Sequence, residues 1–160
     1  MEAKNRIQIY QEAILIGIPR LLTELDRDPT SATYGSFDRE YWAWASKDFS
    51  NIDLQRGVYP LTMMYLNDFE GNLYHGQENL RQWIFSAIDF WCRSQHADGS
   101  FDHLYPNEHS FVSVAFTLFE IALALRDLKN ASIPIPSEQE KSWDRALRRG
   151  ASFLLREDET

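Results

Sequence analysis

The chain has 160 residues, 44% of them hydrophobic and 14% aromatic, which is enough to bury one domain core and argues against an intrinsically disordered chain. Its formal net charge of −8 disfavours nucleic acid and anionic membranes as partners, because both attract basic surfaces. The single cysteine, Cys92, excludes an intrachain disulfide and a thiolate zinc cluster.

Hydrophobic spacing predicts an all-α protein with five main helices and no strand. The expected helices cover about residues 5–26, 50 or 51 to 66, 77–97, 107–128 and 137–157. Pro19 should bend the first of them, and Ser137 followed by Glu140 is typical of a capping box at the start of the fifth. We find no export signal and no apolar stretch of about 20 residues, so a soluble, cytoplasmic chain is expected.

An internal repeat organises these helices. Residues 35–42, Gly-Ser-Phe-Asp-Arg-Glu-Tyr-Trp, recur as residues 99–106, with five of eight positions identical at an offset of 64. We therefore expect one domain, 1–160, that contains a first repeat over about 5–68, a second over about 77–130 and the first helix of a third. One such helical hairpin cannot cover its own apolar faces, so neighbours are needed.

The second repeat resembles a known pattern. Ala87, residues 90–91, Gln95, Gly99 and Phe101 match the spacing of the QW repeat of terpenoid cyclases and protein prenyltransferases. The resemblance implies a partial α/α toroid in which Gln95 joins the helix end to the turn and the Phe101 ring stacks beneath it. Two repeats and one further helix do not close a toroid, so additional repeats or another copy of the chain would cover the open faces.

A second resemblance covers residues 35 to about 128. The segments 35–42, 47–49, 98–102 and 105–109 look like the N-terminal toroid of heparinase II/III-type proteins. That family contains polysaccharide lyases and their relatives. The resemblance implies a carbohydrate-active module that abstracts the C5 proton of a uronate and eliminates the C4 substituent.

The predicted catalytic residues lie where the chain leads into the fourth helix. In lyases of this type an Asn or His neutralises the uronate carboxylate and a Tyr or His abstracts the proton. Asn107, His109 and Tyr105 have the required chemistry, and Glu108 is a further acid. A structural alternative is that Asn107 is the helix N-cap and Glu108 interacts favourably with the helix dipole.

The predicted binding residues begin with an aromatic and basic stretch, Arg39, Tyr41, Trp42, Trp44 and Lys47. Aromatic faces stack on sugar C–H surfaces, and basic groups bind carboxylates or hydroxyls. The alternative is that these aromatic rings plug the core.

Asp38 and Asp102 occupy equivalent positions in the two repeats, and His103 follows the second. The two carboxylates could form an acid–base pair at one rim, or each could bond the backbone of its own loop. The four histidines lack zinc-site spacing, so neither a metal nor another cofactor is predicted.

Three functional hypotheses follow. The first is a toroid module of a carbohydrate-active protein with an oligosaccharide ligand. The second is a non-catalytic helical-hairpin module that binds a partner or forms a homo-oligomer. The third, implied only by the QW spacing, is a toroid that handles isoprenoids.

Overall fold

The computed structural model describes residues 5–156, and every regular element in that range is helical, which confirms the all-α class. None of the helices in this range is long and apolar enough to cross a membrane. The elements are α1 (Arg6–Glu24), α2 (Arg39–Trp42), a 3₁₀ helix (Ile52–Gly57), α3 (Val58–Leu66), α4 (Glu78–Arg93), α5 (Phe111–Asn130) and α6 (Ser137–Arg156).

Helices α3 to α6 form two packed rows. α3 lies beside α5 in one row, α4 lies beside α6 in the other, and contacts between the rows join α3 to α4 and α5 to α6. The connections after α3 and after α5 lie at one end, where the guanidinium of Arg81, in the first turn of α4, donates to the carbonyl of Pro134 across 3.2 Å. The opposite end, which we call the loop face, carries the first loop (residues 25–51) and the second loop (residues 94–110).

Two tryptophans without exposed surface, Trp91 of α4 and Trp143 of α6, are central to the core. The Trp91 indole N–H donates to the hydroxyl of Thr117 across 2.9 Å, and the Trp143 indole N–H donates to the carboxylate of Asp89 across 2.6 Å. The rings of Phe85 and Trp143 pack edge to face, with their centroids 5.1 Å apart. Both buried donors are satisfied, so the large rings pack without an unpaired polar group.

Two bends on the loop face have closely similar backbone geometry. Gly35 and Gly99 have φ angles of +93° and +100°. A Cβ atom would overlap the Ser86 carbonyl of α4 at the first bend and the Arg149 carbonyl of α6 at the second. Glycine is therefore required at both positions, for the dihedral angle and for the close approach of loop and helix.

A buried glutamine braces the first bend. The Gln55 side-chain amide donates to the carbonyls of Gly35, across 3.0 Å, and Ala87, across 2.9 Å. Its oxygen accepts the backbone N–H of Phe37 across 2.9 Å. One side chain thus joins the first loop, the 3₁₀ helix and α4.

Gln95 stabilises the second bend through similar hydrogen bonds. Its amide donates to the carbonyls of Gly99, across 3.0 Å, and Ala146, across 3.1 Å. The ring of Phe101, which is buried, lies 5.0 Å from that of Trp91. The end of α4, the turn and α6 are therefore joined at this point.

Helix α1 is buried over only part of its length. The Asn5 and Gln8 side chains form a capping box at its start, with both hydrogen bonds 2.9 Å long. Pro19 lies inside the helix, as predicted, and the buried residues Ile18 and Leu22 flank it. Five large apolar side chains between Arg6 and Gly17 are exposed; they are Ile7, Ile9, Tyr10, Ile14 and Ile16.

The starts of two predicted helices are corrected by the structure. The second predicted helix is 3₁₀ from Ile52 to Gly57 and becomes α-helical only at Val58. The fourth begins at Phe111, where Ser110 is the N-cap and its side chain accepts the N–H of Ser113. The interpretation of Asn107 as an N-cap is therefore wrong: Asn107 lies in the second loop with a φ of +61°.

Candidate functional site

Four predicted binding residues line one cavity on the loop face, which we call the tryptophan pocket. Its volume is about 330 Å³, and Asp38, Arg39, Trp44 and Lys47 contribute to its wall. The sequence did not single out the rest of the lining, which consists of Glu24, Glu40, Asn51 and Leu54. The Trp44 side chain is 64% exposed, so an apolar ring is accessible beside charged and amide groups.

The guanidinium of Arg39 lies over two indole rings. Its Cζ atom is 5.8 Å from the ring centre of Trp42 and 5.6 Å from that of Trp44, a favourable cation–π arrangement. Trp42 is anchored because its indole N–H donates to the carbonyl of Glu24, at the end of α1, across 2.8 Å. Trp42 therefore positions Arg39, and Arg39 supports the exposed ring of Trp44.

Asp38, a buried residue, holds the first loop together. Its carboxylate accepts the backbone N–H groups of Asn51 across 2.7 Å and of Glu40 and Tyr41 across 3.1 and 3.4 Å. The ammonium group of Lys47 lies 2.6 Å from the same carboxylate. Asp38 therefore bonds groups of its own loop, which is the structural alternative that the sequence predicts for it.

A second cavity, the interloop cleft, lies between the first and second loops. It has a volume of about 340 Å³, and Tyr41 and Phe49 of the first loop face Phe90, Arg93 and Asp102 across it. The Arg93 guanidinium lies 4.7 Å from the ring centre of Phe90. The cleft thus unites two predicted binding residues, Tyr41 and Asp102, in a concave surface with aromatic and charged walls.

Asp98, Ser100 and His109 form a hydrogen-bonded group in the second loop. The Ser100 hydroxyl donates to one Asp98 oxygen across 2.6 Å, and His109 Nδ1 lies 2.7 Å from the other Asp98 oxygen and from Ser100 Oγ. The Ser100 hydroxyl hydrogen is donated to Asp98. The hydrogen that lies between His109 and these two oxygens is therefore carried by Nδ1. Nε2 is then the unprotonated nitrogen of the neutral ring, and within residues 5–156 it has no hydrogen-bond partner.

This geometry does not create a serine nucleophile. Ser100 is fully buried, and it contacts the same imidazole nitrogen as Asp98, whereas a catalytic triad uses the two different nitrogens. Burial raises the pKa of Asp98, but hydrogen bonds from Ser100 and His109 outweigh it and lower the pKa to about 2. Asp98 is therefore ionised at neutral pH and accepts the hydrogen of His109 Nδ1.

His96 packs against this group. Its ring centre lies 4.7 Å from that of His109, with 32° between the planes. His96 Nε2 is 2.9 Å from an Asp102 oxygen, and the same oxygen accepts the backbone N–H of Glu108 across 3.0 Å. Asp102, like Asp38, therefore bonds the backbone of its own loop, and the two lie in different cavities.

Glu108 has a structural role in the second loop. Its carboxylate accepts the backbone N–H groups of His103, Leu104 and Tyr105 across 3.0, 2.6 and 3.2 Å. Burial raises the pKa of Glu108, but these backbone hydrogen bonds outweigh it, so the pKa lies below its ordinary value. Glu108 is thus ionised near neutral pH and holds no proton for a general acid to donate. The His103 ring is used elsewhere, 3.5 Å from a carboxylate oxygen of Asp53.

The remaining predicted catalytic residues stay apart from His109. Tyr105 is 68% exposed and Asn107 is exposed. No hydrogen bond within the described part of the chain joins either side chain to the His109 ring. Sequence reasoning also missed His96, Asp98 and Ser100 as partners of His109, because hydrophobic spacing does not show which loop side chains meet. The signal available was a second histidine placed just before the repeated Gly-Ser-Phe bend.

Within residues 5–156, neither the Cys92 thiol nor a cluster of metal-ligating side chains adds a reactive centre. Burial raises the pKa of the Cys92 thiol to about 12, so the thiolate is scarce at neutral pH. In the part of the chain that the structure describes, no three His, Cys, Asp or Glu side chains are grouped to hold a metal ion. Comparison of the chain with known protein families, with curated proteins and with solved structures finds no match.

Proposed function

We propose that this chain is a partial α/α toroid module that binds a carbohydrate in the tryptophan pocket. The observation that carries the proposal is the exposed Trp44 ring, supported by Arg39, above a cavity of about 330 Å³ lined by carboxylate, amide and ammonium groups. A sugar presents an apolar C–H face and a rim of hydroxyls. An accessible indole beside hydrogen-bonding groups matches both.

The likeness of the two bends supports the toroid part of the proposal. Gly35 and Gly99 share a positive φ and a close approach to a following helix, and a glutamine amide donates to the carbonyl of each. The two rows of helices, connected alternately by short turns and longer loops, also fit a toroid segment. In such a segment the loops of successive repeats meet at one rim, where ligand contacts are expected.

The charges of the pocket favour a ligand rich in hydroxyls. Lys47 is neutralised by the buried Asp38, and Arg39 is engaged with the indole rings. Glu24 and Glu40 add acceptors to the wall. Carboxylates bond sugar hydroxyls well but repel a densely anionic polymer, as does the net charge of −8.

The test is a binding titration with Trp44→Ala. We expect one or more members of a panel of soluble neutral and uronate-containing oligosaccharides to bind the unchanged protein. Loss of the stacking surface should weaken that binding about tenfold, equivalent to about 1.4 kcal/mol. Isothermal titration calorimetry measures the affinity.

The matched control is Tyr10→Ala, which removes another exposed aromatic side chain, on α1 and away from the pocket. It should leave the affinity unchanged. If no saccharide binds, or if both variants lose affinity equally, the carbohydrate proposal is wrong.

A lyase-like activity is a second candidate, favoured by the geometry of His109. Asp98 holds the protonated Nδ1 and leaves Nε2 unprotonated and without a partner within residues 5–156, the arrangement required of a general base. In this proposal His109 Nε2 takes the C5 proton of a uronate, the C4–O bond breaks as the C4–C5 double bond forms, and the leaving oxygen takes a proton from water or from the His109 imidazolium. Glu108 is not the acid, because it is ionised.

Ultraviolet absorbance of the new double bond tests this activity on uronate polymers. We expect the absorbance to rise with the unchanged protein, to stay flat with His109→Ala, and to rise normally with His75→Ala. His75 is an exposed histidine in the turn at the opposite end. A flat signal from the unchanged protein across the panel would reject the activity and leave the binding proposal standing.

A further inference from the structure

The outer face of α5 carries a line of apolar side chains. Val112, Phe116 and Phe119 are 37%, 52% and 61% exposed, and Leu123 is half-buried. Their spacings of four, three and four residues place all four along one side of the helix. We call this line the α5 seam.

The α5 seam lies opposite the buried side of the same helix, which contains Val114, Ile121 and Leu128. α5 is therefore apolar on two opposite sides, but only one of them packs against the core. A seam with this spacing is the pattern by which one helix packs against another. Two phenylalanines that each expose more than half of their surface mark an interaction surface rather than scattered apolar residues.

We propose that the α5 seam binds the α5 seam of a second copy of this chain, with the two helices antiparallel. The spacing is symmetric about the middle of the seam. In the antiparallel pair Val112 therefore lies opposite Leu123 of the second copy, and Phe116 lies opposite Phe119. A larger side chain meets a smaller one at each end, and two aromatic pairs form the centre.

The charges beside the seam favour the same partner. The Arg56 guanidinium lies 5.5 Å from the ring centre of Phe116. Glu120 lies on the α3 side of α5, near enough to Tyr59 that burial, together with the charges of Asp127 and Glu120, raises the pKa of that tyrosine. Arg56 belongs to the 3₁₀ helix that leads into α3, so Arg56 and Glu120 border the seam on the same side.

Within the described residues neither Arg56 nor Glu120 forms an ion pair. In an antiparallel helix pair related by a two-fold axis, the same flank of each helix lies on the same side of the pair. Arg56 lies level with Phe116, and Phe116 lies opposite Phe119 of the second copy. Arg56 is therefore placed beside Glu120 of the second copy. The symmetry forms this pair twice, so each copy satisfies the unpaired charge of the other.

The contact is small. Four seam residues and the flanking charges on each copy cover an area at the low end for specific interfaces, and two chains of charge −8 repel each other. We therefore expect a weak dimer, with a Kd of roughly 10–100 μM, that becomes tighter as salt screens the repulsion.

Sedimentation velocity of the whole chain over a concentration series tests the dimer. Arg56→Glu or Glu120→Arg alone should raise the Kd about tenfold, because each places like charges together. The double variant should recover the original Kd, since it restores both pairs with their signs exchanged. Failure of the double variant to recover would overturn the proposed pairing. Circular dichroism of each variant is the control for folding.

Cysteine cross-linking tests the direction of the helices in a Cys92→Ala background. A mixture of Val112→Cys and Leu123→Cys chains should form the mixed disulfide faster than either chain forms a disulfide with itself. Faster self-linking of Val112→Cys would indicate parallel helices and overturn the proposal. So would a strictly monomeric chain at about 1 mM, a concentration well above the expected Kd. Ile16→Glu, on the exposed side of α1, should leave the dimer unchanged, and a loss of dimer there would place the interface on α1.

Discussion

Gly76 and Gly99 illustrate two different reasons why a position requires glycine. Both have a positive φ, of +64° and +100°. A Cβ on Gly76 would have no neighbour within 4 Å, whereas a Cβ on Gly99 would overlap the Arg149 carbonyl of α6. The dihedral angle matters at both positions, but the close approach to a helix matters only at Gly99.

Alanine substitution should therefore affect the two positions differently. Gly76→Ala should lower the free energy of unfolding by about 1 kcal/mol, the cost of a side chain in the left-handed region. Gly99→Ala should lower it by roughly 3 kcal/mol or more, because α6 must also move away from the second loop. Urea denaturation measures both values, and equal losses would show that α6 yields without cost.

The individual residues of the candidate site were only partly accessible from the sequence. The aromatic and basic stretch identified Arg39, Trp44 and Lys47, which line one pocket. Trp42 belongs to the same stretch, but its indole N–H is used by the carbonyl of Glu24. Nothing in the local sequence distinguishes the exposed tryptophan from the anchored one, because that depends on where α1 ends.

At the scale of elements, α4 and α6 are joined by one carboxylate. Asp89 of α4 accepts the Gln139 side-chain amide across 2.8 Å and the Trp143 indole N–H across 2.6 Å. Asp89→Ala leaves both donors without this partner, and Trp143 has no exposed surface. We expect the free energy of unfolding to fall by about 1–3 kcal/mol and the amides in the first turns of α6 to exchange faster with deuterium.

Asp144→Ala is the control for that prediction. Asp144 lies on α6 and pairs with Lys129 at the surface, 3.4 Å away. Its loss should change stability by less than about 0.5 kcal/mol, because exposed ion pairs contribute little. Comparable effects of the two substitutions would contradict a special role for Asp89.

The five long helical segments followed from hydrophobic spacing, but the one-turn helix α2 and two helix starts did not. The prediction began the fourth helix after Pro106, whereas α5 begins at Phe111. The difference arises because the carboxylate of Glu108 gathers three backbone N–H groups and holds the chain in a turn before the helix. Such a contact competes with helix formation and is not visible in the periodicity of apolar residues.

At the scale of the whole molecule, the sequence predicted a repeated design with open faces. The two rows of helices, the two glycine bends and the exposed seam of α5 are compatible with that design. Helix α5 has two opposite apolar sides, one buried in the core and one exposed. The partner of the outer side is not encoded in local patterns, because it depends on how distant segments and other chains are placed.

For the proposed carbohydrate binding, the contacts of Asp38 have a consequence for the association rate. Its carboxylate joins both ends of the segment that carries Arg39, Trp44 and Lys47, so these side chains are in position before a ligand arrives. A preorganised receptor loses little conformational entropy on association and needs no slow rearrangement. Encounter by diffusion, rather than ordering of a flexible segment, would then limit the association rate constant.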